Sequence, residues 1–131
     1  MLMATLALQT IQDGPKWHIV KATVTGTDTT NLDAATLVDA SAVGADELSI
    51  YSIQSSFTGF DADVYWDASS NVLAAHLPEG ENGQCFKDIG GLVNNAATGK
   101  TGDILLSTTG IATDNTGHLI VKCRKHNTNS L

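Results

Sequence analysis

With 131 residues, the chain is long enough to bury the core of one ordinary domain without a metal or disulfide. Hydrophobic residues make up 42% and charged residues only 16%, below the roughly 25% usual in soluble domains, so Thr, Ser, Asn and Gly fill the surface. A mean hydropathy near zero speaks against a membrane protein. A net charge of −7, from 14 acidic and 7 basic residues, speaks against nucleic acid as the main ligand, since phosphate binding needs clustered Lys and Arg.

The N-terminal run Met1-Leu2-Met3-Ala4-Thr5-Leu6-Ala7-Leu8 is apolar, has no preceding Lys or Arg and is too short to span a bilayer. It reads as a first strand, or as an arm laid on a neighbouring subunit, over residues 1–12. No three-turn apolar stripe of helical period follows. Instead β-branched residues recur between turn signals every 8 to 14 residues, the mark of a sandwich or barrel.

Strands are expected near residues 3–11, 16–26, 35–41, 47–58, 62–67, 72–77, 103–109 and 117–125. Asp13-Gly14-Pro15 closes the first strand and Gly26-Thr27-Asp28 the second. Asp67-Ala68-Ser69-Ser70-Asn71 is a hairpin loop, and Asp114-Asn115-Thr116-Gly117 a turn before the last strand. In residues 47–58, simple alternation sets Leu48, Ile50 and Ser52 against Ser49, Tyr51, Ile53, Ser55 and Phe57. In the last strand Leu119, Val121 and Cys123 share one face. The expected core is Trp17, Ile19, Ile50, Ile53, Trp66, Leu73, Ile104, Leu106, Leu119 and Val121. Residues 78–102, rich in Gly and Asn, read as one long loop, a feature usually functional or ordered by a partner. The expectation is one all-β domain over residues 1–131, an antiparallel β-sandwich or jelly-roll-like barrel of about eight strands.

No chemical motif is complete. Residues 94–101 would be a phosphate loop only with Gly in place of Asn94 and a helix after Thr101, where a strand pattern follows. His18, His76, His118 and His126 form no metal-binding pair on a helix. Asp61, Asp63 and Asp67 lack the Gly turn and terminal Glu of a calcium loop, and one short stretch cannot supply the facing carboxylates of a glycosidase. There is no Gly-x-Ser-x-Gly elbow. Cys85 and Cys123 are too few for a zinc site and read as two reduced core thiols. The basic cluster Lys122, Arg124 and Lys125 reads as a solvated or subunit-facing edge. Catalytic residues, metals and cofactors are therefore expected to be absent. Tyr65 with Asp63 and Asp67 is the nearest approach to a carbohydrate site, a competing use of a β-sandwich.

Several strings carry a resemblance. Asp13-Gly14-Pro15 leads into residues 17–26; Val64-Tyr65-Trp66-Asp67-Ala68 and Gly90-Gly91-Leu92 follow; then come residues 98–108 and the closing Ile120-Val121-Lys122-Cys123-Arg124-Lys125. Together they resemble small virion proteins of tailed bacteriophages. The resemblance implies a non-enzymatic structural protein, made in the host cytoplasm and placed on the capsid exterior as a decoration or cement protein. A position in the neck, tail or fibre base is the alternative. It implies copies of itself, a trimer being favoured, and the major capsid protein as partners, with no nucleic acid, membrane or small-molecule substrate. Subunit contacts are expected at Leu2, Met3, Leu6 and Leu8, and at Leu92, Val93, Asn94 and Asn95.

Overall fold

A computed structural model describes residues 4–26, 31–96 and 98–126. Leu2 and Met3 lie outside the described residues. Among the described residues nine strands form: β1 (Thr5–Asp13), β2 (Trp17–Thr25), β3 (Ala35–Val38), β4 (Glu47–Phe57), β5 (Asp61–Trp66), β6 (Val72–Leu77), β7 (Gly80–Cys85), β8 (Ile104–Thr109) and β9 (Thr116–His126). They make an antiparallel sandwich of a five-stranded sheet, ordered β1-β2-β9-β4-β7, on a four-stranded sheet, ordered β3-β8-β5-β6. Only β1–β2 and β5–β6 are hairpins within a layer; every other connection crosses between layers.

The two hairpins close where the turn residues stand. Gly14 N–H donates to the Trp17 carbonyl at 2.9 Å, and Ala68 N–H to Asn71 Oδ1 at 3.2 Å. At the crossovers β4–β5 and β6–β7, Gly59 N–H donates to Glu79 Oε2 and Glu79 N–H to Asp61 Oδ1. Between the layers lie Phe57, Trp66, Leu37, Ile50, Ile53, Leu77, Ile104, Leu106 and Leu119, each at most 2% exposed. Full burial of such side chains contributes about 1.5–3 kcal/mol each, which is the main force holding the layers together.

Four expectations need correction. β7 lies inside the stretch expected to be loop. Its sequence, Gly80-Glu81-Asn82-Gly83-Gln84-Cys85, has no apolar alternation because it is an edge strand with no buried residue. Trp17 and Ile19 face outward, and His18, Val20, Ala22 and Val24 form the core side of β2. Leu73 is 54% exposed, displaced by a register shift between Val64 and Tyr65 opposite it. In β4 a bulge between Ile50 and Ser52 changes the parity, so Leu48 and Ile50 before it and Ile53 and Phe57 after it all enter the core.

Candidate interaction surfaces

Among the described residues β1 hydrogen-bonds to β2 alone, leaving its other edge open. Leu6 packs partly against the core, whereas Leu8 is 50% and Ile11 51% exposed. Ile11 is the extra residue of a bulge between Thr10 and Gln12, which twists the far end of the strand. Leu8 and Thr10 form one wall of a cavity of about 300 Å³ whose floor includes Val20, Leu37, Val38 and Val43. The hairpin end is clamped by Asp13: Lys125 Nζ donates to Asp13 Oδ1 at 2.5 Å, and His18 Nδ1 lies 3.2 Å from the same oxygen. The Lys125 hydrogen bond, then that of His18, holds the Asp13 carboxyl below its ordinary range.

The outer face of the five-stranded sheet explains why Trp17 left the core. Its ring meets Tyr51 edge-on, centroids 4.9 Å apart, with Lys122 Nζ 4.6 Å and the Arg124 guanidinium 5.8 Å from its own centroid. The bulge in β4 is what turns Tyr51 to this face. The basic cluster is thereby split, since Lys122 and Arg124 cover Trp17 while Lys125 pairs with Asp13.

After β7 the chain makes a 3-10 turn, Lys87–Ile89, and then returns to β4, where Leu92 and Ile50 exchange backbone hydrogen bonds of 2.8 and 3.0 Å. Gly91 permits this return. It has φ +92°, and a Cβ there would sit 2.8 Å from the Tyr51 ring. Ile89 and Val93 are left 70% and 61% exposed. Beyond them the chain is tied to the end of β5: Asn94 Nδ2 donates to the Asp67 carbonyl at 3.3 Å and Thr101 Oγ1 to Asp67 Oδ2 at 2.7 Å. Asn95 is exposed and Leu92 half-buried.

A pocket of about 260 Å³ opens under this segment, lined by Glu47, Ser49, Trp66, Lys100 and His126 among others. The buried Ser49 hydroxyl and His126 Nε2 are 2.5 Å apart. A serine–histidine contact can activate a nucleophile. Acyl transfer also needs donors for the oxyanion, and the amides of Gly90 and Gly91 are committed to the Lys87 and Phe86 carbonyls. The pair acts as a cross-strand hydrogen bond between β4 and β9.

Tyr65 and Asp63 share the outer face of the four-stranded sheet, both half-buried. Asp63 Oδ1 is 2.6 Å from His76 Nδ1, while the Asp67 carboxylate is turned to Thr101, so the three do not gather round an open sugar-sized surface. Among the described residues no group of three His, Cys, Asp or Glu is arranged to hold a metal ion. Both cysteines are free, but Cys85 is exposed at the end of β7 rather than in the core. Burial pushes the Cys123 thiol up to about 12.

These features define the class as a two-layer antiparallel β-sandwich whose accessible assets are strand edges and apolar surface. No protein-family model matches the chain, and no curated protein matches it. Among solved structures it is similar to one described as the structure of tomato aspermy virus by X-ray crystallography. That match has a TM-score of 0.40 and 8% identity, and it covers 98% of this chain and 81% of that one.

Proposed function

We propose that the chain is a non-enzymatic structural subunit of a virus particle, and more finely a decoration protein on the exterior of a tailed-phage capsid. It binds copies of itself, with threefold assembly favoured by the resemblance, and it binds the major capsid protein. The phage assignment rests on the sequence strings described above.

The observation that carries the assembly reading is where the exposed large hydrophobic side chains lie. Single exposed leucines are ordinary on any surface. Among the described residues, apart from Leu73, such side chains are confined to β1, at Leu8 and Ile11, and to the segment after β7, at Ile89 and Val93. Two separate apolar contacts, each weak, suit a subunit that touches several neighbours, because linked contacts multiply in effect.

The test is co-sedimentation of the purified chain with empty shells of its particle, alongside a Leu8→Asp/Val93→Asp variant. Both positions are at least half exposed, so the variant is expected to fold, which its circular dichroism checks. The wild type is expected to pellet with shells to a fixed stoichiometry, and the variant to bind at least ~10-fold more weakly, about 1.4 kcal/mol. A wild type that stays in the supernatant with shells, or pellets with isolated necks or tails instead, would overturn the decoration assignment.

A further inference from the structure

Among the described residues the two sheets leave four strand edges open, and these differ in how they are protected. β3 is four residues long and flanked by Asp33 and Asp39. β6 bears His76, held to Asp63, and runs into Pro78 and Glu79. β7 bears Glu81 and two glycines. Charges, short length and proline next to an edge are the usual guards against pairing with another chain. β1 is the exception: nine residues long, it has no charge and no proline before Asp13, and its bulge lies beyond Thr10. Among the described residues nothing pairs with the outer side of Thr5 to Thr10, which is a regular, uncharged edge.

We propose that β1 pairs antiparallel with β1 of a second copy, about a twofold axis at Ala7, making one continuous sheet across both molecules. The inference needs only the self-association part of the function proposed above. A twofold contact of this kind joins copies whether each begins as a monomer or belongs to a larger ring.

The register follows from the faces. In β1, Leu6, Leu8 and Thr10 lie opposite core-facing Val24, Ala22 and Val20, whereas Thr5, Ala7 and Gln9 lie opposite outward-facing residues of β2. Residues directly opposite across a new strand pair must share a face. Centring on Ala7 sets Leu6 against Leu8 of the second copy and Leu8 against its Leu6, with Thr5 against Gln9. Centring on Leu8 would set Leu8 against its own twin but each Leu6 against Thr10, leaving one leucine pair in place of two. The Ala7 register covers the half-exposed Leu8 twice and extends the apolar wall beside Leu37, Val38 and Val43.

Charge selects the same edge. Each copy carries −7, so contact between two copies is disfavoured wherever carboxylates meet. Asp13, the nearest carboxylate along β1, is about 20 Å from the axis at 3.4 Å per residue, and it is already paired with Lys125.

The experiment uses purified protein without shells, in a Cys85→Ser background that removes the exposed thiol. At the axis the two Ala7 Cα atoms are about 4.5–5.5 Å apart, within disulfide range. Ala7→Cys is therefore expected to give a disulfide-linked dimer on mild oxidation. Thr5→Cys and Gln9→Cys, each about 14 Å from its own twin, are expected to cross-link only when mixed with each other. Leu8→Lys is expected to halve the native mass while the melting temperature holds. An Ala7→Cys protein that cross-links no faster than Thr5→Cys, or a Leu8→Lys protein of unchanged mass, would overturn the pairing. Shell binding is read separately, so failure here leaves the decoration reading to its own assay.

Discussion

Gly117 sits where the central strand pair leaves no room for a Cβ, and Gly117→Ala measures how closely β4 and β9 are held. Gly117 lies opposite Phe57 across the central strand pair, and the Phe57 ring packs against Phe60 with centroids 5.0 Å apart. A Cβ on Gly117 would sit 2.3 Å from Phe57 Cδ1, 2.9 Å from the Ser56 carbonyl oxygen and 3.0 Å from Phe57 Cα. A ring rotation could relieve the first contact but neither of the others, because those are backbone. The strands must part or the ring must leave its place in the core. Overpacking of this kind costs about 1–3 kcal/mol, and the backbone contacts put this site at about 2–3 kcal/mol. For a domain of this size that is a fall in Tm of roughly 6–15 °C. Thermal melts followed by near-ultraviolet circular dichroism read it directly. Phe57→Leu costs about 1–2 kcal/mol alone, yet combined with Gly117→Ala it should cost at least ~1 kcal/mol less than the sum, since the leucine vacates the space the new methyl enters. A single variant melting within about 2 °C of wild type, or a strictly additive pair, would refute the packing described.

Other consequences are more local. The Ser55 hydroxyl is buried without a hydrogen-bond partner, so Ser55→Ala should be neutral or stabilising by up to about 1 kcal/mol in denaturant melts, whereas Ser49→Ala, which strips His126 of its partner, should cost about 1 kcal/mol. A thiol reagent at neutral pH should label Cys85 at once and Cys123 only on unfolding, because Cys123 is fully buried and its thiol is pushed up to about 12; equal labelling rates in the native protein would contradict the placement of β9. Asp13 is held below its ordinary value by Lys125 and His18, so its contribution to stability is present above about pH 4 and fades as pH falls through its folded value. Asp13→Asn should therefore lower Tm at pH 7 and converge on wild type in acid. The loss at pH 7 should be about 0.5–1 kcal/mol, less than for a fully buried pair because the Asp13 side chain is 44% exposed while that of Lys125 is only 7% exposed.

The eight expected strands all formed, because their evidence was local: β-branched runs bounded by Gly, Pro, Asn and Asp. The facing of those strands was harder to read. In β2 the alternate sets are Trp17, Ile19, Lys21 and Thr23 against His18, Val20, Ala22 and Val24. The weight of Trp17 and Ile19 pulls the eye to the wrong set, although Lys21 and Thr23 on the same side mark it as the outer one. Strict alternation cannot describe β4 at all, since the bulge near Tyr51 is set by pairing with β9 and with Leu92, contacts distant in sequence. β7 had no local signal, being held to β4 by its backbone with no buried side chain. The sugar-site reading was reasonable from residue types, but the carboxylates it needs hold His76 and Thr101 instead, pairings that only the fold reveals. Of the expected contact residues, Leu8 and Val93 are well exposed and Leu6, Leu92 and Asn94 are half-buried.

Backbone hydrogen exchange, compared between the free protein and the same protein bound to empty shells, tests the central claim most directly. An open strand edge exchanges readily when free and slowly once paired or covered. Added protection on shells should be concentrated at Ile89 to Val93, Thr5 to Thr10 should exchange slowly already in the free dimer and quickly in Leu8→Lys, and the β5 amides around Tyr65 should not change. Protection confined to Asp61–Trp66, or none anywhere on addition of shells, would contradict a subunit that works through its strand edge and its apolar segment after β7.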